Sequence, residues 1–164
     1  MITVETYENY FKTEILDKYA KIKRIINIDL FDFDTFLNEL KSYKTADYPI
    51  LVLENYQVKT IANHQHNIHN ALSCGLSVLN FFDVRKKDVL TKSAFLTEME
   101  HIILQIRKKM LDDSERNCMF LSGLIPDSIG IGKTETLAGG YLGYRMSFFI
   151  EDTDTTELDN DWNG

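Results

Sequence analysis

The sequence predicts an α+β fold, a mostly antiparallel sheet with amphipathic helices packed on one face. Three observations carry that prediction. A proline leads directly into the continuous apolar run Ile50-Leu51-Val52-Leu53, and proline is tolerated at a strand's first position but not within a ladder. Phe95, Leu96, Met99, Ile102, Ile103, Ile106 and Met110 recur at the three-and-four spacing of one helix face. Finally, a Gly139-Gly140 pair precedes the apolar segment Tyr141 to Ile150, as expected of a hairpin turn feeding a closing strand.

The elements follow in order. Val4, Tyr7, Phe11, Ile15, Tyr19, Ile22 and Ile26 share helical spacing, so one long first helix is expected, capped by Thr3 with Glu5 in its first turn. A break near Asn27 to Leu30 separates it from a short helix whose face is Phe33, Phe36, Leu37 and Leu40, with Asp32 available as cap. The strand at Ile50 to Leu53 is short and unalternating, and is therefore expected to be central and covered on at least one face. The stretch Gln57 to Asn70 is polar and without clear period, compatible with a long hairpin connection or a ragged strand. A second strand is predicted at Leu76 to Val84, ending in the charged exit Arg85 to Asp88. The helix after it is predicted over Ser93 to Met110, with Ser93 as cap, Glu98 and Glu100 toward its start, and Arg107, Lys108 and Lys109 in its last turn. A loop through Pro126 leads to a strand-like segment, Ile129 to Leu137, and then to the closing strand.

A chain of 164 residues with 44% hydrophobic and 26% charged residues matches one ordinary domain, which needs no disulfide or metal to fold. Residues 1–150 are assigned to a single α+β domain and residues 151–164 to a solvated, disordered acidic tail. The net charge is −7, and Glu151, Asp152, Asp154, Glu157, Asp159 and Asp161 place most of it in that tail. The near-neutral body argues against direct nucleic-acid binding, which needs a clustered positive excess. Cys74 and Cys118 form no paired motif and are expected to be buried, reduced and inert. The start has no basic and apolar leader, and no apolar run reaches the roughly 20 residues that cross a bilayer. A chain made in the cytoplasm, with no membrane partner, is expected.

Candidate chemistry is sparse. Gly130-Ile131-Gly132-Lys133-Thr134 resembles the end of a phosphate loop, but the pattern requires glycine at position 127, which is Asp127. A β-hairpin also replaces the helix whose N-terminus would face the anion. His64, His66 and His69 lie within six residues, and imidazole is a common zinc ligand. On a strand, however, His69 points away from the other two, and on a helix His64 lies off to the side. His101, on the polar side of a helix, has no assured approach. A calcium loop beginning at Asp152 fails, because its sixth and twelfth positions are Glu157 and Asn163. Nothing brings the paired carboxylates Asp112-Asp113 or Asp152 and Asp154 to a base, and no nucleophile elbow occurs. No catalytic residue, cofactor site or metal site is assigned. The single tryptophan, Trp162, sits in the acidic tail, where it can anchor on a partner or on the chain's own sheet.

In the order of its elements the chain resembles the tail terminators and related tail-completion proteins of long-tailed bacteriophages. The likeness rests on the strand Tyr48-Pro49-Ile50-Leu51-Val52-Leu53-Glu54, the strand Leu76 to Val84, the helix to Met110, and the closing Gly143-Tyr144-Arg145-Met146-Ser147-Phe148-Phe149-Ile150. It covers most of the chain, as a pattern of elements and not a signature motif. The longer helical start and the acidic tail depart from that pattern. The resemblance implies a non-enzymatic structural protein that assembles as a homo-oligomeric ring on the tail tube, stops tube growth and presents a surface to neck proteins. It implies no cofactor, and a place in the cytoplasm during assembly and then in the virion tail of a phage or prophage. Gln57 to Asn70 and Gly123 to Leu137 are the expected contact segments, since long loops on a rigid scaffold carry function. Two other classes are an adaptor domain that binds a basic partner and, behind it, a metal-dependent enzyme using the His64–His69 cluster.

Overall fold

The computed structural model describes residues 2–28, 33–62, 68–83, 89–116, 119–135 and 140–152. Its core is a five-stranded sheet built from β1 (Arg24–Ile28), β2 (Ile50–Ala62), β3 (Ile68–Phe81), β4 (Gly130–Glu135) and β5 (Tyr141–Asp152), in the order β1-β2-β3-β5-β4. Among the described residues only the β1–β2 pairing is parallel. Three helices accompany the sheet: α1 (Val4–Tyr10), α2 (Phe33–Ser42) and α3 (Val89–Glu115). The α+β class and the mostly antiparallel sheet are those expected.

The larger core lies on one face. Leu51 and Leu53 of β2, Leu72, Cys74, Leu76 and Val78 of β3, and Met146, Phe148 and Ile150 of β5 pack there against α1 and α3. Strand side chains alternate between faces, so Ile50 and Val52 point the other way. With Ile26 and Ile28 of β1 they bury Phe36, Leu37 and Leu40 of α2. The long helical layer thus covers one face, and α2 adds a small second core beneath β1 and β2. The run Ile50 to Leu53 is central and covered on both faces, which explains why its apolar pattern does not alternate.

The N-terminal expectation needs correction. Thr3 caps α1 as predicted, accepting from the Thr6 amide at 3.2 Å, and Tyr7, Phe11 and Ile15 are buried. The helix continues only as a π-type segment, Phe11–Leu16, ending where the Asp17 amide donates to the Lys12 carbonyl (3.0 Å). Ile22 and Ile26 are not on it. Arg24–Ile28 is a strand, in register with Ile50 to Glu54 of β2. Ile25, Ile26 and Ile28 are β-branched and suit a pleated surface better than a helix, so the helical spacing of Ile22 and Ile26 is fortuitous.

The described residues of the segment Gln57 to Asn70, 57–62 and 68–70, are strand. β2 and β3 pair from Ile50↔Leu79 to Ala62↔Ile68, with a register shift between Glu54 and Gln57. The predicted strand Leu76 to Val84 therefore begins earlier, and Val84 lies outside the described residues, as do Asp32 and the exit Arg85 to Asp88. The long helix is longer than predicted. Ser93 is not its cap, because α3 starts at Val89, and the Ser93 carbonyl accepts from the Thr97 hydroxyl inside the helix (3.0 Å). The stripe misses the first turn because Val89 and Leu90 are 81% and 80% exposed. Arg107, Lys108 and Lys109 likewise fall mid-helix, since α3 runs on to Glu115.

At the closing hairpin Gly140 has φ +91°, a conformation in which glycine alone is unstrained, and its carbonyl accepts from the Phe82 amide (2.7 Å). Gly139 lies outside the described residues. Gly143 is required for another reason: a Cβ there would sit 1.8 Å from the Val78 carbonyl oxygen. No helix among the described residues is long and apolar enough to cross a membrane.

Candidate assembly surfaces

The residues singled out for chemistry do not converge in the described structure. His64 and His66 lie outside the described residues. His69 stands on β3 opposite Ile61, with its side chain also outside what is described. His101 is exposed on α3. Among the described residues no group of three His, Cys, Asp or Glu side chains could hold a metal ion. Glu151 and Asp152 end β5, while Asp154, Glu157 and Trp162 lie outside the described residues. The Gly130 to Thr134 segment forms β4 and pairs with β5, so it opens no helix. Cys74 is buried in the larger core, where burial pushes its thiol up to about 12. Cys118 is outside the described residues.

Asp112 and Asp113 diverge. Asp112 is exposed, whereas Asp113 is buried. Asp113 accepts the Tyr10 hydroxyl at 2.8 Å and pairs with the Lys109 ammonium, 2.5 Å from Oδ2. Lys109 also reaches Glu14 at 3.1 Å, and Glu14 pairs with Lys18 at 2.6 Å. Hydrogen bonds from Lys18 and Lys109 hold the Glu14 carboxyl below its ordinary range. Burial acts against the Lys109 ammonium, but its bonds to Asp113 and Glu14 outweigh that and raise its pKa. This cluster latches the N-terminal helical segment onto α3, and its charged groups are consumed by one another.

Three features face outward instead. The first is the distal part of the β2–β3 ribbon. β5 accompanies β3 only as far as Asn70↔Asp152, while β2 and β3 continue to Ala62↔Ile68. Gln57, Val58 and Lys59 are exposed on β2 just before this overhang, opposite the part of β3 that β5 still flanks, Val58 at 60%.

The second is β4. The segment before it is fastened to β5: the Ile125 amide donates to the Phe149 carbonyl (3.0 Å), and the Phe149 amide donates to the Ser128 hydroxyl (2.8 Å). β4 then occupies the sheet margin, with Gly130 and Gly132 exposed and open space where a Gly132 side chain would stand. Among the described residues of the expected contact segment Gly123 to Leu137, β4 thus offers the open backbone edge. The third feature is β1, at the opposite margin. Among the described residues no further strand pairs β1 or β4.

The face of β3 and β5 away from α3 carries a clamp that residue order does not reveal. The Arg145 guanidinium meets Glu54 through two bonds, Nε to Oε1 at 2.6 Å and Nη2 to Oε2 at 2.5 Å. The pair lies across Gly75, where a Cβ would approach Glu54 Oε2 to 2.1 Å. Only the pairing of Glu54 with Gly75, and of Gly75 with Ser147, brings these distant positions together.

No family model matches the chain. A search of curated proteins likewise finds no match.

Proposed function

We propose that this protein is a ring-forming structural protein at the end of a phage or prophage tail tube, a tail terminator or completion protein. The observation that carries the reading is the unlikeness of the two sheet margins. β1 is a five-residue strand in parallel pairing, and β4 a six-residue strand in antiparallel pairing with two glycines. A closed ring needs heterologous contacts, in which two different surfaces of each subunit meet. Unpaired strand edges are ready templates for such contacts, and the β2–β3 ribbon, which runs on past the end of β5, supplies an arm to reach a neighbour or the tube. The strand after Pro49, the strand before Phe82, the helix through Met110 and the hairpin into Ile150 also stand in the order on which the family resemblance rests.

The test is native mass spectrometry of the full chain, with and without a chelator, followed by electron microscopy after mixing with purified tail tubes. The expected result is a metal-free ring of about six subunits, or a cap on one end of the tube. A monomer carrying one chelatable metal, or tubes that remain uncapped beside a metal-free monomer, would overturn the reading.

A further inference from the structure

An aromatic groove opens beside the C-terminal end of α2. Tyr43, Tyr48, Phe81 and Tyr141 line a cavity of about 470 Å³, with Lys41 and Lys44 on its rim. The rings form a continuous wall: Tyr43 to Tyr48 is 6.5 Å between centroids, Tyr48 to Tyr141 6.0 Å and Tyr141 to Phe81 5.5 Å. Phe81 is 42% exposed, a large apolar ring facing water. The Tyr48 hydroxyl donates to the Leu40 carbonyl (2.8 Å) and the Tyr43 hydroxyl to Glu39. Of the nearby acids, Asp47 is held by Arg24 at 3.0 Å and by the Lys44 amide at 2.8 Å. Glu39 is engaged by Tyr43. Among the described residues neither Lys41 nor Lys44 closes an ion pair, so two ammonium groups border an apolar floor.

Such a site selects an aromatic side chain within an acidic peptide. The chain contains one segment of that chemistry. Residues 153–164 hold Asp154, Glu157, Asp159, Asp161 and the only tryptophan, Trp162, with no Lys or Arg. We propose that the groove receives this segment from a second copy of the chain, with the Trp162 indole against Phe81 and Tyr141 and the flanking carboxylates facing Lys41 and Lys44.

Reach favours the neighbour's groove over the chain's own. Tyr141 begins β5 at the groove, and Asp152 ends it, about 36 Å away at the rise of an extended strand. The ten residues from Asp152 to Trp162 span at most about 33–36 Å when fully extended. Docking in the same copy would demand a straight, taut chain along the whole sheet, whereas a neighbour's groove imposes no such limit. The contact goes beyond the ring reading and does not require any particular ring size.

Because Trp162 is the only indole, its emission reports the contact directly in the full-length protein. The expected result is a blue-shifted, iodide-protected emission that is lost on dilution. It is also lost in about 1 M salt, where charges are screened beyond about 3 Å. Two variants isolate the partner. The first, Lys41→Glu/Lys44→Glu, keeps the reporter and breaks the groove; Phe81→Ser serves the same purpose should the double variant unfold. The second, Trp162→Phe, keeps the groove and silences the reporter. Neither alone should give the blue shift, and mixing the two full-length proteins should restore it. Solvent-exposed emission at every concentration, a shift that survives dilution without limit, retention of the shift in the groove variant alone, or failure of the mixture would each overturn the proposal. Trp162→Phe that still assembles into rings would separate the two hypotheses, leaving ring formation standing without the tail.

Discussion

At the scale of single residues, backbone approach is more demanding than side-chain chemistry. Gly143 stands opposite Leu79 in the β3–β5 ladder, and an added Cβ would meet the Val78 carbonyl at 1.8 Å. The obstacle is backbone in the central ladder, which cannot move without breaking β3–β5 pairing. Gly143→Ala should therefore destabilise by about 2–3 kcal/mol, at the upper end of ordinary single substitutions. Gly132→Ala is the matched control, because nothing lies within 4 Å of its Cβ; a change within about 0.5 kcal/mol is expected. Urea unfolding of both variants measures the difference, and equal midpoints would refute the close-approach account. The latch at Lys109 adds a pH signature. The Glu14 carboxyl is lowered in the folded state, so its contribution is fully present above the ordinary value of 4.5 and lost as pH falls through the folded value. Lys109 is raised, so its contribution is fully present below 10.5 and lost as pH rises through its folded value. Glu14→Gln should flatten the acid side of the stability profile and leave the alkaline side largely in place. An unchanged acid limb would mean that Glu14 is merely a surface charge.

At the scale of elements, α2 is the piece whose removal is most easily read. Leu40 is fully buried between α2 and the lower face of β1 and β2. Leu40→Ala should cost about 3 kcal/mol, the usual figure for a core leucine whose surroundings collapse only partly. A loss below about 1 kcal/mol would indicate that α2 detaches easily and that the second core contributes little. The legibility of these elements in the sequence follows from the range of the interactions that fix them. α3 and the β5 hairpin were readable because each has its own apolar period or glycine turn. β1 was not, because Ile22 and Ile26 continue the spacing of Tyr7, Phe11 and Ile15, and only parallel pairing with β2 decides against the helix. Gln57 to Ala62 has no apolar face of its own and is a strand because β3 offers it a ladder. The same limit applied to sites. From the sequence Lys109 is a helix-end charge, and only the packing of Tyr10 and Glu14 against α3 shows what it holds. Glu54, Gly75 and Arg145 carry no motif, and their meeting depends on strand register.

At the scale of the whole molecule, the question becomes what the sheet margins do. An exposed strand edge invites association, and proteins that must remain monomeric blunt it with charges, bulges or proline. β4 has one such device, the exposed Lys133, flanked by glycine on the face that α3 does not cover. If β4 meets a neighbouring subunit, a long charged side chain at Gly132 should block that approach. The space around Gly132 is open, so Gly132→Lys should fold with an unfolding midpoint near that of the parent while its rings dissociate to monomers in native mass spectrometry. Val58→Glu tests the ribbon by the same logic, since Val58 already faces water and its replacement removes apolar contact without opening a cavity. Loss of rings in Gly132→Lys with retention in Val58→Glu would place the subunit contact at the sheet edge and free the ribbon for the tube. The reverse pattern would assign subunit contact to the ribbon. Intact rings in both variants would remove both surfaces from the interface and, with them, the structural basis for ring closure through β4.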